Sequence, residues 1–205
     1  MNISRNASGP RGPRGSRARR TAVAVCAAVA LPVSLGVLAP QASAAPAASD
    51  PFGPACASLP QSGAGSAASM ASKPVATAAA ENPELSTLTA ALERAGLIDT
   101  LNNAKNLTVF APTNAAFEKI PKADLDALLA NKAELTKVLT YHVVGEKISK
   151  SQLANGTFTT MEGSTLSTSG SGSAFKVNDA ANIVCGDVTT SNATVNLIDT
   201  VLMPK

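Results

Sequence analysis

The sequence predicts one α+β domain with a largely antiparallel sheet, formed by residues 73–205. Two observations predict this class. Apolar residues recur at helical spacing between residues 82 and 139, whereas short runs rich in β-branched residues, separated by Gly, Ser, Asn and Asp, follow between residues 157 and 203. Helices followed by strands are typical of α+β domains rather than of folds that alternate the two.

The helices are predicted from caps and apolar faces. Asn82 can cap a helix that starts at Pro83 and ends at Gly96, and a short second helix follows at residues 97–101. Two later apolar clusters predict two more helices, with Asn131 as a cap between them. The clusters are Leu125, Leu128 and Leu129, then Leu135, Val138 and Leu139.

Five strands are predicted in the second half, with tight turns at Glu162-Gly163 and at Gly170-Ser171-Gly172. The last strand carries apolar residues on both faces, which predicts a central position in the sheet. The predicted strands are 157–161, 165–168, 174–178, 183–185 and 193–203.

The stretch "TVFAPTNAAF", residues 108–117, predicts a strand that Pro112 ends, because proline has no amide hydrogen for the ladder. Thr113 then caps a helix. Phe110 and Phe117 are expected to pack around the turn between them.

Residues 1–44 have the order of a secretory signal peptide: a basic start with six arginines, an apolar run and the small-residue site Ala42-Ser43-Ala44. An uncleaved membrane anchor is the alternative, since the apolar run could just span a bilayer. Residues 45–72, rich in Ala, Ser, Gly and Pro, are expected to be flexible. We therefore expect a secreted or cell-surface protein with no stable membrane span after cleavage.

Net charge argues against a nucleic-acid partner. The whole chain has 17 basic and 14 acidic residues, but six of the basic ones lie in residues 1–44, where no acid occurs. The remainder carries a net charge of −3, with lysines and acids interspersed, whereas phosphate backbones require a basic face.

Export also bears on the cysteines. Cys26 lies in the predicted signal peptide, which leaves Cys56 and Cys185 as a pair in an oxidising compartment. A disulfide between them is expected, with two free thiols as the alternative.

Catalytic, metal and cofactor sites are not predicted. His142 is the only histidine, and next to Val143 and Val144 it is expected to be a buried ring hydrogen-bonded at a helix end. No nucleophile elbow or glycine-rich phosphate loop occurs in the sequence. Asn106, Asn155 and Asn192 begin glycosylation sequons by pattern only.

Three motifs carry a family resemblance: "TVFAPTNAAFEKIP" at 108–121, "LTYHVV" at 139–144 and "NATVNLIDTVLMP" at 192–204. In order and spacing they resemble the two conserved blocks and the Tyr-His block of fasciclin (FAS1) domains, and the cysteine-bearing lead-in is similar to secreted mycobacterial fasciclin-domain antigens. The resemblance implies a compact wedge of helices against a β-sandwich.

The resemblance also implies a non-catalytic module for cell adhesion that binds a protein or a matrix or cell-envelope component. In animal members integrin binding is attributed to the Tyr-His block and to an Asp-Ile pair. The matching positions are Tyr141-His142 and Asp187-Val188. The alternative function is a carrier of a small apolar ligand held between helices and sheet; an enzyme ranks third.

Overall fold

The computed structural model describes residues 50–204, so the predicted signal peptide at 1–44 lies outside the described residues. Helices occupy mainly the first half of the described chain. None of them is long and apolar enough to cross a bilayer. They are α1 (Ala67–Ala71), α2 (Val75–Ala80), α3 (Ser86–Ala95), α4 (Ile98–Asn103), α5 (Asn114–Glu118), α6 (Lys122–Ala130) and α7 (Lys132–Tyr141), with 3₁₀ turns at Pro54–Ser58, Pro83–Leu85 and Gln152–Ala154.

The strands form one sheet in the order β2-β1-β7-β6-β5-β4-β3. Every neighbouring pair is antiparallel except β1 and β7, which run parallel. The predicted α+β class with a largely antiparallel sheet is confirmed. The strands are β1 (Leu107–Pro112), β2 (Val143–Val144), β3 (Asn155–Thr159), β4 (Thr165–Ser171), β5 (Ala174–Val177), β6 (Ala181–Thr189) and β7 (Ala193–Ile198).

The sheet curls until its two outer strands meet. Val144 of β2 forms an isolated antiparallel bridge with Thr160, just beyond β3. The Met161 amide donates to the Val143 carbonyl over 2.7 Å. The curled sheet therefore encloses one of its faces and offers the other to the helices.

Two hydrophobic cores result, one on each face of the sheet. Residues 107, 109, 111, 193, 195 and 197 face the helices, and this helix-side core includes Phe117 and Leu135. The opposite face packs an inner core that holds every other aromatic residue of the described chain: Phe52, Phe110, Tyr141, Phe158 and Phe175. β7 is buried along its whole length, as a central strand must be.

Three of the predicted helix boundary residues, Asn82, Gly96 and Asn131, act as caps. The Asn82 side chain accepts from the Glu84 amide over 3.0 Å, although Pro83 opens a 3₁₀ turn and α3 begins only at Ser86. Gly96 ends α3 with a φ of 72°, the left-handed conformation that favours glycine. Asn131 caps α7 by accepting from the amides of residues 133 and 134.

The expected contact around Pro112 is wrong. Phe110 belongs to the inner core, whereas Phe117 belongs to the helix-side core. The reason is that α5 leaves β1 toward the helices while Phe110 points to the other face of the sheet. Thr113 stands at the cap position of α5 without a side-chain cap; its amide instead donates to the Ile198 carbonyl over 3.0 Å.

The prediction that residues 45–72 are flexible is wrong for residues 52–72. Phe52 pairs with Gly186 of β6 through two backbone hydrogen bonds of 3.0 and 2.7 Å. Leu59 and Met70 are buried in the helix-side core. The segment has few large apolar residues, but each of these three is buried, and this offsets the ordering cost of a small-residue segment. Residues 45–49 lie outside the described part.

Three details of the sheet differ from the prediction. β6 extends to Thr189 rather than ending at Cys185. A β-bulge accommodates Gly186 and Asp187, two residue types that are uncommon within strands. β7 ends at Ile198, where Asp199 turns away and accepts from the Asn182 amide over 2.8 Å. The β4–β5 turn lies at 172–173, while Gly170 remains in β4.

Candidate functional site

The Tyr-His pair stands where α7 ends and β2 begins. Tyr141 is the last residue of α7 and His142 is its C-cap. The Phe110 amide donates to the His142 carbonyl over 2.8 Å, so the helix end is fixed to the sheet. Both side chains are buried, at 4% and 2% exposure.

Both nitrogens of the His142 ring are occupied. The Leu202 amide donates to Nε2 over 2.9 Å, which requires Nε2 to be the acceptor and leaves the hydrogen on Nδ1. Nδ1 then donates to the Val138 carbonyl over 2.7 Å. Burial lowers the pKa of His142 to about 4, against the opposing effect of the bond to Val138. A neutral ring with no free nitrogen is suited to neither proton transfer nor metal binding.

The Tyr141 hydroxyl reaches across the inner core to the opposite strands. It donates to the Thr165 carbonyl over 3.2 Å and accepts from Asn178 Nδ2 over 2.8 Å. Here it forms the floor of a surface groove of about 430 Å³, which we call the Tyr141 groove. Its lining is polar: Tyr141, Thr157, Ser164, Thr165, Ser167, Asn178 and Asp179.

The wall of the Tyr141 groove is a tight turn in an uncommon conformation. Asn178 and Asp179 have φ values of 51° and 54°, and the Ala180 amide donates to the Val177 carbonyl over 3.1 Å. Two successive left-handed residues define the turn type that best fits a β-hairpin. Asn178 Oδ1 accepts from the Ser167 amide over 2.9 Å, which ties the turn to β4. The groove is therefore held in one shape before any ligand binds.

Asp187 and Val188 lie at the bulge of β6. Asp187 has a φ of 61°, and its amide donates to Asn196 Oδ1 over 3.0 Å. The Val188 side chain is fully buried in the helix-side core. Asp187 is thus the only one of the four residues proposed for partner contact whose side chain is partly exposed.

No hydrogen bond within residues 50–204 joins Tyr141 or His142 to the Asp187 bulge, and Tyr141 and Val188 belong to different cores. Burial of Tyr141, His142 and Val188 argues against direct contact through them. The Tyr141 groove was not predicted from the sequence. The only local indication was the turn-forming pair Asn178-Asp179 between two β-type runs, whereas the hydrogen bond from Asn178 to Tyr141 joins residues 37 positions apart.

Cys56 and Cys185 are joined by a disulfide, with 4.9 Å between their Cα atoms and a sequence separation of 129. It attaches the lead-in segment to β6 beside the Phe52–Gly186 pair. Within the described residues no cluster of three or more His, Cys, Asp or Glu side chains could hold a metal ion. The Tyr141 groove can bind a ligand through hydrogen bonds with hydroxyl, amide and carboxylate groups.

The sequence is similar to two mycobacterial proteins. The chain is 46% identical over 178 residues to the immunogenic protein MPB70 of Mycobacterium bovis, covering 83% of this chain and 91% of that protein. It is 48% identical over 171 residues to the cell surface glycolipoprotein MPB83 of the same species, covering 80% and 76%. These relatives support the predicted localisation: the protein is secreted or at the cell surface.

The fold also matches a solved structure, that of a FAS1 domain pair from the insect cell adhesion molecule Fasciclin I. The TM-score is 0.55 at 17% identity, and the match covers 65% of this chain and 52% of that one. A likeness at this identity concerns the fold alone. The family model of the fasciclin domain matches residues 83–204, which contain all three sequence motifs. The chain therefore belongs to the fasciclin domain family.

Proposed function

We propose that this extracellular fasciclin module is a non-catalytic adhesion protein that binds a protein or a component of the matrix or cell envelope through the Tyr141 groove. The observation that carries the proposal is the groove itself. Its walls come from α7, β3, β4 and the Asn178-Asp179 turn, and hydrogen bonds between these elements hold them in place. A preformed site binds without an ordering cost.

The lining of the Tyr141 groove contains neither a histidine nor a cysteine, which favours binding over catalysis. His142, the only histidine of the chain, has both ring nitrogens bonded to backbone groups. Asp179 accepts a hydrogen bond from Ser169 and Glu162 accepts one from Ser164, but no histidine links either carboxylate to a groove hydroxyl as in a catalytic triad. Recognition by ring stacking is also disfavoured, since the five phenylalanines and the tyrosine are each at most 7% exposed.

The described interior does not favour the alternative of an apolar carrier. The space between α2, α3, α4 and the sheet, lined by residues such as Met70, Leu88 and Val195, has a volume of about 10 Å³. That is roughly the minimum for a single water molecule. A lipid chain would have to displace the helices from the sheet.

The test is a binding assay with the exported protein on its own cell-wall fractions and on purified matrix proteins. Thr157 and Ser167 are register partners on β3 and β4 and both are exposed, so arginines there would obstruct the Tyr141 groove without disturbing a core. We expect Thr157→Arg/Ser167→Arg to weaken binding by about tenfold or more, as loss of central contacts does. Ala123→Arg/Ala130→Arg on exposed positions of α6 is the charge-matched control.

Two results would contradict the proposal. One is the absence of any saturable partner among these fractions. The other is equal binding by both double variants, which would move the interaction to another surface.

A further inference from the structure

A second polar groove lies at the end of the sheet where β1 begins and where β6 turns into β7. Its volume is about 430 Å³, and we call it the lysine groove. It is lined by Lys105, Asn106, Leu107, Lys147 and residues 189–193. It shares no residue with the Tyr141 groove.

The lysine groove is positive although residues 45–205 carry net negative charge. Its lining has two lysines, three hydroxyl side chains and two asparagines but no carboxylate. Lys105 and Lys147 are exposed, and neither takes part in the two ion pairs of the described chain, Lys73–Glu81 and Lys119–Asp199. Two cations without acid partners leave a local positive potential in a concave surface.

Beneath this groove a row of threonines crosses three strands. Thr108, Thr194 and Thr189 are successive register partners on β1, β7 and β6, so their side chains share one face of the sheet. Thr108 fixes the loop of Lys147: its hydroxyl donates to the Glu146 carbonyl and accepts from the Ile148 amide, both over 2.8 Å. Thr189 lines the groove.

The same face holds polar atoms without partners. Thr194 is 1% exposed, and its hydroxyl has no hydrogen-bond partner among the described residues. Asn196, two residues on and also 1% exposed, uses its Oδ1 for the Asp187 amide but leaves its Nδ2 unpartnered. Neither side chain lines the lysine groove, so the groups available to a ligand there are those of its own lining.

We propose that the lysine groove binds a phosphate group. Two lysine ammonium groups would neutralise its charge, and the hydroxyls of Thr189 and Ser191 would donate to its oxygens. The phosphate could be borne by an envelope polysaccharide or by a lipid headgroup. Only this choice of source rests on the proposed adhesion function; binding of free phosphate does not.

The probe is inorganic phosphate, titrated into the oxidised exported protein at constant ionic strength with chloride as the replaced ion. Amide NMR shifts are expected at residues 147 and 189–191. Lys105→Ala/Lys147→Ala should bind about fivefold more weakly or worse. The charge-matched control is Lys122→Ala/Lys132→Ala, exposed positions on α6 and α7, which should bind like the unchanged protein.

Thr189→Val separates a ligand role from a structural one. Thr189 lines the groove, and the substitution removes its hydroxyl at nearly constant shape, so the melting temperature should change little while phosphate binding should weaken. Two results would overturn the phosphate site: an equal loss of phosphate binding in the two double lysine variants, or amide NMR shifts no larger than those caused by chloride. Neither result would change the outcome of the adhesion assay.

The source is then tested with two ligands. Phosphomannan is compared with dephosphorylated mannan, and phosphatidylcholine vesicles containing phosphatidic acid are compared with phosphatidylcholine alone. Binding to one phosphorylated form, lost in Lys105→Ala/Lys147→Ala, supports that source. Binding to inorganic phosphate without binding to either ligand would reject the envelope source.

Discussion

The His142 ring and the Leu202 amide, 60 residues apart, are joined by a hydrogen bond of 2.9 Å to Nε2. This bond ties the segment after β7 to the end of α7. Together with the bond from Nδ1 to Val138 it gives the only histidine a structural role as a neutral connector. The Tyr-His motif therefore contributes to the fold through His142 and to a surface only through the Tyr141 hydroxyl.

Acid should destabilise the protein through His142. Its pKa is about 4 in the folded chain, against the ordinary histidine value of 6.5 in the unfolded chain, so the unfolded chain binds the proton first as the pH falls. The free energy of unfolding is therefore unaffected by His142 above pH 6.5, and it decreases through His142 as the pH falls from 6.5 to 4. We expect the free energy of unfolding from urea titrations to fall by about 2 kcal/mol between pH 7 and pH 5.

The His142→Gln variant is the control, since it cannot take up this proton. It should be less stable than the unchanged protein at pH 7 but should show a flat profile between pH 7 and pH 5. An equal fall in both proteins would show that other groups cause it.

Loss of the disulfide should lower stability strongly. Closing a loop of this length stabilises by about 4 to 5 kcal/mol in the chain-entropy model, which is an upper figure. We expect reduction, or Cys56→Ser, to lower the melting temperature, while amide exchange in β1 and α5 stays protected below the new transition. Reductant should have no further effect on Cys56→Ser. Mass mapping that finds both thiols free in the native protein would contradict the prediction.

Phe52 and Gly186 should show strong energetic coupling. A Cβ at position 186 would lie 2.3 Å from the Phe52 ring, which is held by an edge contact with Phe175 and by Lys150, whose Nζ is 4.4 Å from the ring centroid. Gly186→Ala should cost about 1 to 3 kcal/mol by overpacking, and Phe52→Ala about 3 kcal/mol.

The double variant tests whether the two effects share one cause. In Phe52→Ala/Gly186→Ala the new methyl group enters space that the ring has vacated, so the loss should be clearly smaller than the sum. Additive losses in urea titrations would mean that Gly186 is needed for another reason.

Asn192 should be essential for stability despite its place in a turn. Its Oδ1 accepts from the Val75 amide over 2.8 Å, and its Nδ2 donates to the carbonyls of Leu101 and Ala104 over 2.7 and 2.8 Å. Asn192→Ala leaves these backbone groups without hydrogen-bond partners and should lower the free energy of unfolding by about 2 to 4 kcal/mol. Asn103→Ala, at an exposed position of α4, should cost less than about 0.5 kcal/mol. Similar losses for both variants would contradict this role.

An engaged Nδ2 also makes the Asn192 sequon a poor modification site.

The parts of the fold that depend on local chemistry could be predicted from the sequence. Asn82, Gly96 and Asn131 act within one helical turn of their own position: Gly96 and Asn131 mark the predicted boundaries, and Asn82 caps the 3₁₀ turn that leads into α3. Apolar residues on both faces of β7 likewise indicated a strand buried on both sides, although the strand also contains Thr194 and Asn196.

The parts that depend on long-range packing could not be predicted. Phe110 and Phe117 are close in sequence, and only the direction in which α5 leaves the sheet separates them into different cores. Phe52 joins the inner core from a segment whose composition indicates flexibility. The Tyr141 groove depends on contacts that no local pattern encodes, such as the one between Tyr141 and Asn178.

The meeting of β2 and β3 bears on how copies of this protein can be crowded together. An open sheet margin exposes a row of unpaired amides and carbonyls that can recruit another polypeptide by strand addition, the first step toward fibrils. Here the bridge between Val144 and Thr160 pairs one margin with the other. This bridge shortens the open margin available for strand addition, so we expect dense display to carry a lower risk of aggregation and a partner to be recognised mainly through side chains and grooves.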